Sequence, residues 1–177
     1  MRGTRTVGSR CGRLIAVAVA AIAVSSSGLF SSPAAAHLAP TVAERRTHVV
    51  KRALRQLGEN YSYGGESPRS GFDCSGLVYW AFKDHGASLP RSSSDMWRVR
   101  RQAGYKRIWK RKHLAKGDLL FFRNGGRSVG HVGLYIGRGR MVNSRSSARG
   151  VVRDSLSEDY WRSNYVGAVR VPRLRFH

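Results

Sequence analysis

A change of hydrophobic pattern part-way along the chain is the feature that most constrains its fold. Apolar residues recur at helical spacing over residues 44–57, and further helices are predicted over residues 75–85 and 92–102. The later part contains short segments rich in β-branched and aromatic residues, separated by Gly and Asn: 119–122, 132–136, 140–142, 151–153 and 165–171. Helices followed by a meander of antiparallel strands predict a segregated α+β domain.

The N-terminus predicts the compartment. Four arginines precede an apolar run over residues 14–24, and Pro33 is followed by three alanines. A positive start, a short apolar segment and a small-residue exit are typical of a secretory signal peptide. The run has eleven residues, whereas a bilayer span needs about 20. Residues 1–36 are therefore predicted to be a cleaved signal peptide, with an uncleaved anchor as the alternative. We expect a secreted or wall-associated protein with no transmembrane segment after cleavage.

The charge of the chain predicts an anionic partner. Cleavage after Ala36 would leave 141 of the 177 residues and lower the net charge from +22 to +18, since the leader holds four arginines and no acid. Residues 98–116 contain nine Lys or Arg, no acid and the aromatics Tyr105 and Trp109, and Trp97 directly precedes them. Such a segment could bind single-stranded nucleic acid. Secretion instead favours a solvated loop that holds the protein on phosphate-bearing wall polymers, with no specific nucleic-acid partner.

The cysteine content points to a reactive thiol. Cleavage would remove Cys11 and leave Cys74 as the only thiol. A single cysteine in a secreted protein forms an intermolecular bond, reacts, or is buried and inert. Cys74 lies where a Gly-rich loop enters a predicted helix, so free N–H groups and the helix dipole should stabilise the thiolate and lower the thiol pKa. The same groups could stabilise an oxyanion. We therefore predict that Cys74 is a nucleophile.

A thiol nucleophile needs a base, and His131 is the best of the six histidines. It follows Gly130 and opens a predicted strand, where the sheet would fix its ring. A half-buried structural histidine is the alternative. The histidines do not have metal-ligand spacing, and no phosphate-binding loop is present, so we expect no metal or organic cofactor.

Five sequence blocks, in order, carry a family resemblance. They are Tyr-Ser-Tyr-Gly-Gly from Tyr61, Gly-Phe-Asp-Cys-Ser-Gly-Leu around Cys74, Leu-Pro-Arg-Ser, Lys-Gly-Asp-Leu-Leu-Phe-Phe, and Gly-His-Val-Gly-Leu-Tyr-Ile-Gly around His131. Together they closely resemble the NlpC family of papain-like cell-wall peptidases. The resemblance implies a papain-like fold in which N-terminal helices pack on a five- to six-stranded antiparallel sheet. It also implies a short flexible lead-in at residues 37–44, a catalytic domain at 45–171 and a basic tail at 172–177.

The same resemblance assigns roles to individual residues. Cys74 is implied as the nucleophile, His131 as the base and Asn143 as the third catalytic residue, although Asn143 could also be a surface turn residue. An asparagine can hold the imidazole tautomer but lacks the charge of a carboxylate. Tyr61 and Ser75 are expected beside the nucleophile, on the oxyanion side of the site.

Three further residues are expected around the cleft. Tyr63 occupies the position of an aromatic residue that lines the cleft, and Arg91 and Ser92 either contact substrate or only begin the third helix. Asp73 is expected to cap the nucleophile helix, and Asp118 to brace a turn of the sheet.

The activity implied by the resemblance is that of a monomeric cysteine peptidase acting on peptidoglycan stem peptides. The typical bond joins D-γ-glutamate to diaminopimelate or lysine. Two alternatives stay open. One is another acyl hydrolase on the same fold, such as an N-acetylmuramoyl amidase, and the other is a catalytically idle wall-binding protein.

Overall fold

The computed structural model describes residues 40–99, 104–126, 128–146 and 148–172. The predicted signal peptide, residues 37–39 of the lead-in, the end of the third predicted helix and residues 173–177 of the tail lie outside these ranges. Within them, no helix combines the length and the apolar character that crossing a membrane requires.

Helices dominate the first half of the described chain, and local sequence explains where they begin. The helices are α1 Val42–Leu54, α2 Cys74–Phe82, α3 Ser93–Arg98 and α4 Asp159–Asn164, the last of which precedes the final strand. Thr41 and Glu44 form a reciprocal capping box at the start of α1, Asp73 caps α2, and Ser92 caps α3. A 3₁₀ turn over Lys83–His85 follows α2 and ends at Gly86, whose φ is 65°.

A six-stranded antiparallel sheet forms the second half, and a two-stranded ribbon precedes α2. The strands are β1 Glu66–Ser67, β2 Gly71–Phe72, β3 Lys106–Ile108, β4 Leu119–Arg123, β5 Val129–Gly137, β6 Arg140–Ser144, β7 Val151–Ser155 and β8 Tyr165–Arg170. The order in the main sheet is β3-β8-β4-β5-β6-β7, so β4 to β7 form a meander and β8 returns beside β4. This architecture confirms the predicted α+β class and strand number.

Both faces of the sheet are covered, which explains the unbroken apolar run in β4. Leu119 and Phe121 belong to the core beneath α1 and α2. Leu120 and Phe122 pack in a second core with Trp161 of α4. A strand buried on both sides has no polar alternation, and the sequence Leu-Leu-Phe-Phe follows that rule.

Asp118 braces the sheet, as predicted. Its side chain has no exposed surface, accepts a hydrogen bond from the Ala115 N–H at 2.8 Å, and pairs with two arginines. Arg46 of α1 lies 3.3 Å away, and Arg170 of β8 lies 2.7 Å away. This carboxylate therefore joins a helix, a turn and a strand.

Two sequence expectations need correction. The basic segment at 98–116 is not a simple loop, because Lys106–Ile108 form β3 and pair with β8 through Arg107↔Val169. Three residues, two of them basic, give too short a pattern to identify as a strand. Helix α4, which carries Trp161, was not predicted either.

Candidate active site

The thiol of Cys74 lies at the first turn of α2 and is not in a disulfide. The Asp73 carboxylate accepts a hydrogen bond from the Gly76 N–H at 2.6 Å, while the N–H groups of Cys74 and Ser75 favour the charged form of the thiol. A third donor, the N–H of Val132, comes from β5. The sulfur therefore lies near the main chain of the residue that directly follows His131.

The electrostatics of this thiol differ from the sequence-based expectation. Burial raises the pKa of the Cys74 thiol above its ordinary value, and the nearby Asp73 charge adds to this effect. The three N–H groups act in the opposite direction but do not outweigh desolvation. The prediction of a lowered pKa was wrong because it counted the helix terminus and omitted the cost of burying the thiolate.

His131 is buried on β5 and held from two sides. Its Nε2 lies 2.8 Å from Asn143 Oδ1, and its ring stacks on Trp161 at a centroid distance of 5.2 Å and an angle of 30°. Burial lowers the pKa of His131 to about 4, although the Asn143 bond and the Asp154 charge both raise it. The imidazole is therefore neutral at pH 7, with Nδ1 free of the Asn143 bond.

The sheet brings His131 and Asn143 together. They lie on the neighbouring strands β5 and β6, and Gly133 shares a face with His131 because side chains alternate along a strand. A Cβ added at Gly133 would lie 3.3 Å from Asn143 Cβ and 2.7 Å from the Met141 sulfur. The second glycine of the Gly-His-Val-Gly block therefore makes room for Asn143 beside the histidine.

The thiol opens into a cleft of about 560 Å³. Burial raises the pKa of Tyr61, and the proximity of Cys74 and Asp73 adds to that shift, which locates the phenol near the sulfur. Tyr63 is 92% exposed at the edge of the cleft. The cleft is lined by Tyr61, Tyr63, Gly64, Asp73, Cys74, Ser75, Arg91, Ser92, Ser93, Asn124 and Gly130.

Arg91 forms the polar wall of this cleft through bonds to the protein. Two of its nitrogens bind the Asp73 carboxylate at 2.9 and 2.8 Å, and Nε binds Glu66 at 2.9 Å. The Ser75 hydroxyl accepts from Arg91 at 3.0 Å and donates to Asp73 at 3.1 Å. Burial alone would raise the pKa of Asp73, but Arg91 and the N–H groups of Gly76 and Gly64 hold it below its usual range. Arg91 thus keeps the cap of the nucleophile helix ionised.

Residues 58–170 match the sequence profile of the NlpC/P60 family. The chain belongs to the NlpC/P60 family. Among proteins similar to it are the murein DD-endopeptidase MepH of Escherichia coli K12, 44% identical over 124 residues, and the bifunctional muramidase/DL-endopeptidase CwlT of Bacillus subtilis 168, 40% identical over 125 residues. The alignments cover 69% and 70% of this chain but 44% and 36% of those proteins. The chain therefore spans less than half the length of these relatives.

A solved structure supports the same membership. An NlpC/P60 family protein from Bacillus cereus ATCC 10987 superposes with a TM-score of 0.63 at 33% identity, covering 73% of this chain and 40% of that one. The papain-like arrangement expected from the sequence is therefore that of NlpC/P60 proteins.

The predicted site residues of this NlpC/P60 chain fall into two groups. His131 and Asn143 are hydrogen-bonded to each other on β5 and β6, and Cys74 lies at the start of α2 near the main chain of Val132. The cleft beside Cys74 is lined by the five remaining candidates: Tyr61, Tyr63, Ser75, Arg91 and Ser92. The Ser92 hydroxyl also accepts the Asp95 N–H at 3.1 Å and so begins α3. Across the described ranges, no cluster of three or more His, Cys, Asp or Glu residues could hold a metal ion.

Two residues at the site were missed from the sequence. Asp154 of β7 accepts a hydrogen bond from Asn143 Nδ2 at 3.0 Å, and Trp161 of α4 covers the His131 ring. Asp154 stands in an ordinary alternating strand, and Trp161 in a short polar helix. Neither position gives a local signal, because its role arises from strand register and helix packing.

Proposed function

We propose that this chain is a secreted cysteine peptidase that hydrolyses amide bonds in peptidoglycan stem peptides, with Cys74 as nucleophile and His131 as base. One observation carries the proposal. A thiol that is not in a disulfide and is partly exposed lies in a cleft at a helix start, near the main chain of the residue after a buried histidine, and Asn143 is hydrogen-bonded to that histidine. This constellation is the arrangement that acyl transfer through a thioester needs.

The acylation step follows from the two pKa shifts. Thiol and imidazole are both neutral before reaction, so the proton of Cys74 passes to His131 Nδ1 as the sulfur attacks the carbonyl carbon. The N–H groups of Cys74 and Ser75, with the Tyr61 hydroxyl, stabilise the resulting oxyanion. His131 then gives its proton to the leaving amine, the C–N bond breaks, and a thioester on Cys74 is formed.

The deacylation step reverses these roles. Water attacks the thioester carbonyl and gives a proton to His131, which returns it to the departing sulfur. The products are a free carboxyl group, a free amine and the regenerated thiol. Asn143 accepts the His131 Nε2–H throughout, which keeps Nδ1 directed to the reaction.

The bond that we propose joins D-γ-glutamate to diaminopimelate or lysine. Of the two similar proteins, one is named a DD-endopeptidase and the other a DL-endopeptidase. The DD-endopeptidase name makes a peptide cross-link the competing target. An N-acetylmuramoyl amidase would instead cut between sugar and peptide.

We further propose that the protein acts outside the cell, exported by the signal peptide at residues 1–36, and that a basic surface holds it on anionic wall polymers. Lys106, Lys110 and Lys112 are exposed beside Trp109, which is 63% exposed. The neighbouring arginines are engaged within the protein: Arg107 stacks on Trp97 at 3.7 Å, and Arg111 donates to Leu156 O at 2.9 Å. The three lysines and Trp109, which we call the lysine patch, thus form an exposed group in this segment that is open to a phosphate polymer.

Digestion of purified peptidoglycan tests the catalytic proposal. The protein and its Cys74→Ala variant are incubated with walls and with soluble muropeptides, and the fragments are identified by mass spectrometry. We expect a new N-terminal diaminopimelate or lysine with the wild type and at least a 10³-fold lower rate with the variant. Equal release by both proteins would refute the thiol mechanism.

Different fragments would revise the bond. Separated cross-linked peptides with intact stems would indicate a DD-endopeptidase, and sugar chains freed of whole stems would indicate an amidase. Wall binding with no fragments from either protein would indicate an idle binding protein.

A further inference from the structure

Resting on the proposed function, we propose that Asp154 is a positioning residue that fixes the tautomer of His131 through Asn143. The two hydrogen bonds form a chain across three strands. His131 Nε2 lies 2.8 Å from Asn143 Oδ1, and Asn143 Nδ2 donates to Asp154 Oδ2 at 3.0 Å.

The donor and acceptor groups of the Asn143 amide fix the direction of both hydrogen bonds. An ionised carboxylate only accepts hydrogen bonds, so the Asn143 amino group must face Asp154. The carbonyl oxygen of the same amide then faces His131, and that oxygen only accepts. The proton of the neutral imidazole must therefore be on Nε2, which leaves the lone pair on Nδ1. Without Asp154 the amide could rotate by half a turn and place its amino group against the histidine, which would favour the opposite, unproductive tautomer.

The position of Asp154 follows from sheet register. In the β6–β7 pair Met141 lies opposite Asp154, and Asn143 lies opposite Val152. Residues two apart share a face of a strand, so Asn143 and Asp154 are diagonal neighbours on one face. Both are buried, Asn143 at 0% exposure and Asp154 at 6%. An alternative partner for the amide would have to come from the same enclosed face.

A second set of contacts holds the carboxylate in place. Arg145 lies 3.3 Å from Asp154 Oδ1, on the oxygen that Asn143 does not use. The same guanidinium stands over the Trp161 ring at 5.2 Å from its centroid, and Trp161 stacks on His131. The chain from His131 through Asn143, Asp154, Arg145 and Trp161 thus returns to the imidazole. Contacts of this kind around a histidine fix the orientation of its ring, which a general base requires.

A purely structural role is the competing interpretation, and it makes a different prediction. A carboxylate that only stabilised the β6–β7 pair would affect unfolding but not the location of a proton on His131. If Asp154 is a positioning residue, its substitution must change which ring nitrogen of His131 carries the proton. The effect of that substitution on the rate must also disappear when Asn143 is removed.

The first test reads the tautomer directly and does not depend on activity. The ¹⁵N signals of the His131 ring, identified by their loss in His131→Gln, are recorded at pH 7 for wild type, Asp154→Asn and Asp159→Asn. We expect a protonated Nε2 and an unprotonated Nδ1 in wild type and in Asp159→Asn, and a substantial Nδ1-protonated population in Asp154→Asn. Asp159 is the matched control, since the same change is made in α4 on a carboxylate that is 88% exposed.

The second test is a double-mutant cycle on the rate of muropeptide cleavage. Asp154→Asn should lower kcat/KM by about ten-fold or more in the wild type, but by less than about two-fold in Asn143→Ala. An unchanged tautomer in Asp154→Asn, or an equal loss of rate in both backgrounds, would overturn the proposal. If the wild type proves inactive on every muropeptide, the proposed function fails while the tautomer measurement still decides the role of Asp154.

Discussion

At the scale of single residues, the site departs from the stabilised Cys74 thiolate that its sequence indicates. Burial acts on both partners in the direction that disfavours charge, raising the pKa of Cys74 and lowering that of His131 to about 4. The helix terminus and the Asn143 bond act the other way and are outweighed. For the mechanism proposed above, a neutral pair means that proton transfer accompanies attack, so the role proposed for His131 is that of a general base.

The buried histidine should make stability depend on pH. The pKa of His131 falls from 6.5 in an exposed state to about 4 in the fold, so the unfolded chain binds the extra proton between these values. Stability is therefore complete above pH 6.5 and falls as the pH is lowered towards 4, by about 3 kcal/mol from this group. Urea unfolding at pH 7 and pH 4 measures the loss.

The control for this prediction is His131→Gln, which removes the titrating group. Its loss of unfolding free energy between the two pH values should be smaller than that of the wild type by roughly the same amount. Parallel losses in the two proteins would show that His131 is not buried in a neutral form.

At the scale of elements, the residues at the start of α2 have different roles although they belong to one short sequence block. Cys74 supplies the thiol, Asp73 caps the helix and holds Arg91, and Gly76 allows the helix to approach the preceding loop. A Cβ at Gly76 would lie 2.0 Å from the Gly65 carbonyl oxygen, which no side chain tolerates without movement of the backbone. The last position of the Asp-Cys-Ser-Gly block therefore requires glycine because there is no space for a side chain.

Gly76→Ala tests this interpretation through the sign of its effect. Helix propensity alone predicts a gain of about 1 kcal/mol, whereas the clash predicts a loss of about 2 kcal/mol or more in the free energy of unfolding. Chemical denaturation of wild type and variant measures the difference. Gly126→Ala is the control, because a Cβ there meets nothing within 4 Å; its stability should change by less than about 0.5 kcal/mol. A stabilised Gly76→Ala would contradict the packing argument.

The parts of the fold that could be predicted were those with a local pattern. Helix α2, the strand that begins near His131 and the cap at Asp73 each have a signal within a few residues. Strand β3 has only three residues, and Asp154 acquires its role from pairing with β6, so neither could be found locally. The pKa of Cys74 was predicted in the wrong direction because burial depends on residues far along the chain.

At the scale of the whole molecule, two groups of exposed positive charges in the described part of the chain lie towards opposite edges of the sheet. The lysine patch lies on and beside β3, at one edge. Arg138, Arg140 and Arg153 are exposed around the β5–β6 turn and on β7, at the other edge. Because the two groups are separate, removing three charges from either one shows whether wall binding depends on the lysine patch or only on the net charge of the protein.

A comparison of two triple variants tests retention on the wall. Lys106, Lys110 and Lys112 are changed together to Gln, and Arg138, Arg140 and Arg153 are changed together to Gln in the control, so both lose three charges. Sedimentation with purified walls at low salt should show at least a five-fold weaker retention for the lysine variant and a smaller loss for the control. Retention of the wild type should also fall after extraction of phosphate polymers or in high salt. Equal losses in both variants would show that total charge, not the patch, holds the protein.

The division of the site between a helix and a meander has a consequence for folding. His131, Asn143 and Asp154 lie on three strands joined by successive hairpins, so they can assemble through contacts between near neighbours in sequence. Cys74 reaches Val132 only when α2 docks on that sheet, a contact that closes a long loop. Because local contacts form before distant ones, the proposed base and its support are expected to exist before the proposed nucleophile arrives. A newly made chain would then gain its proposed reactivity only in the last stage of folding.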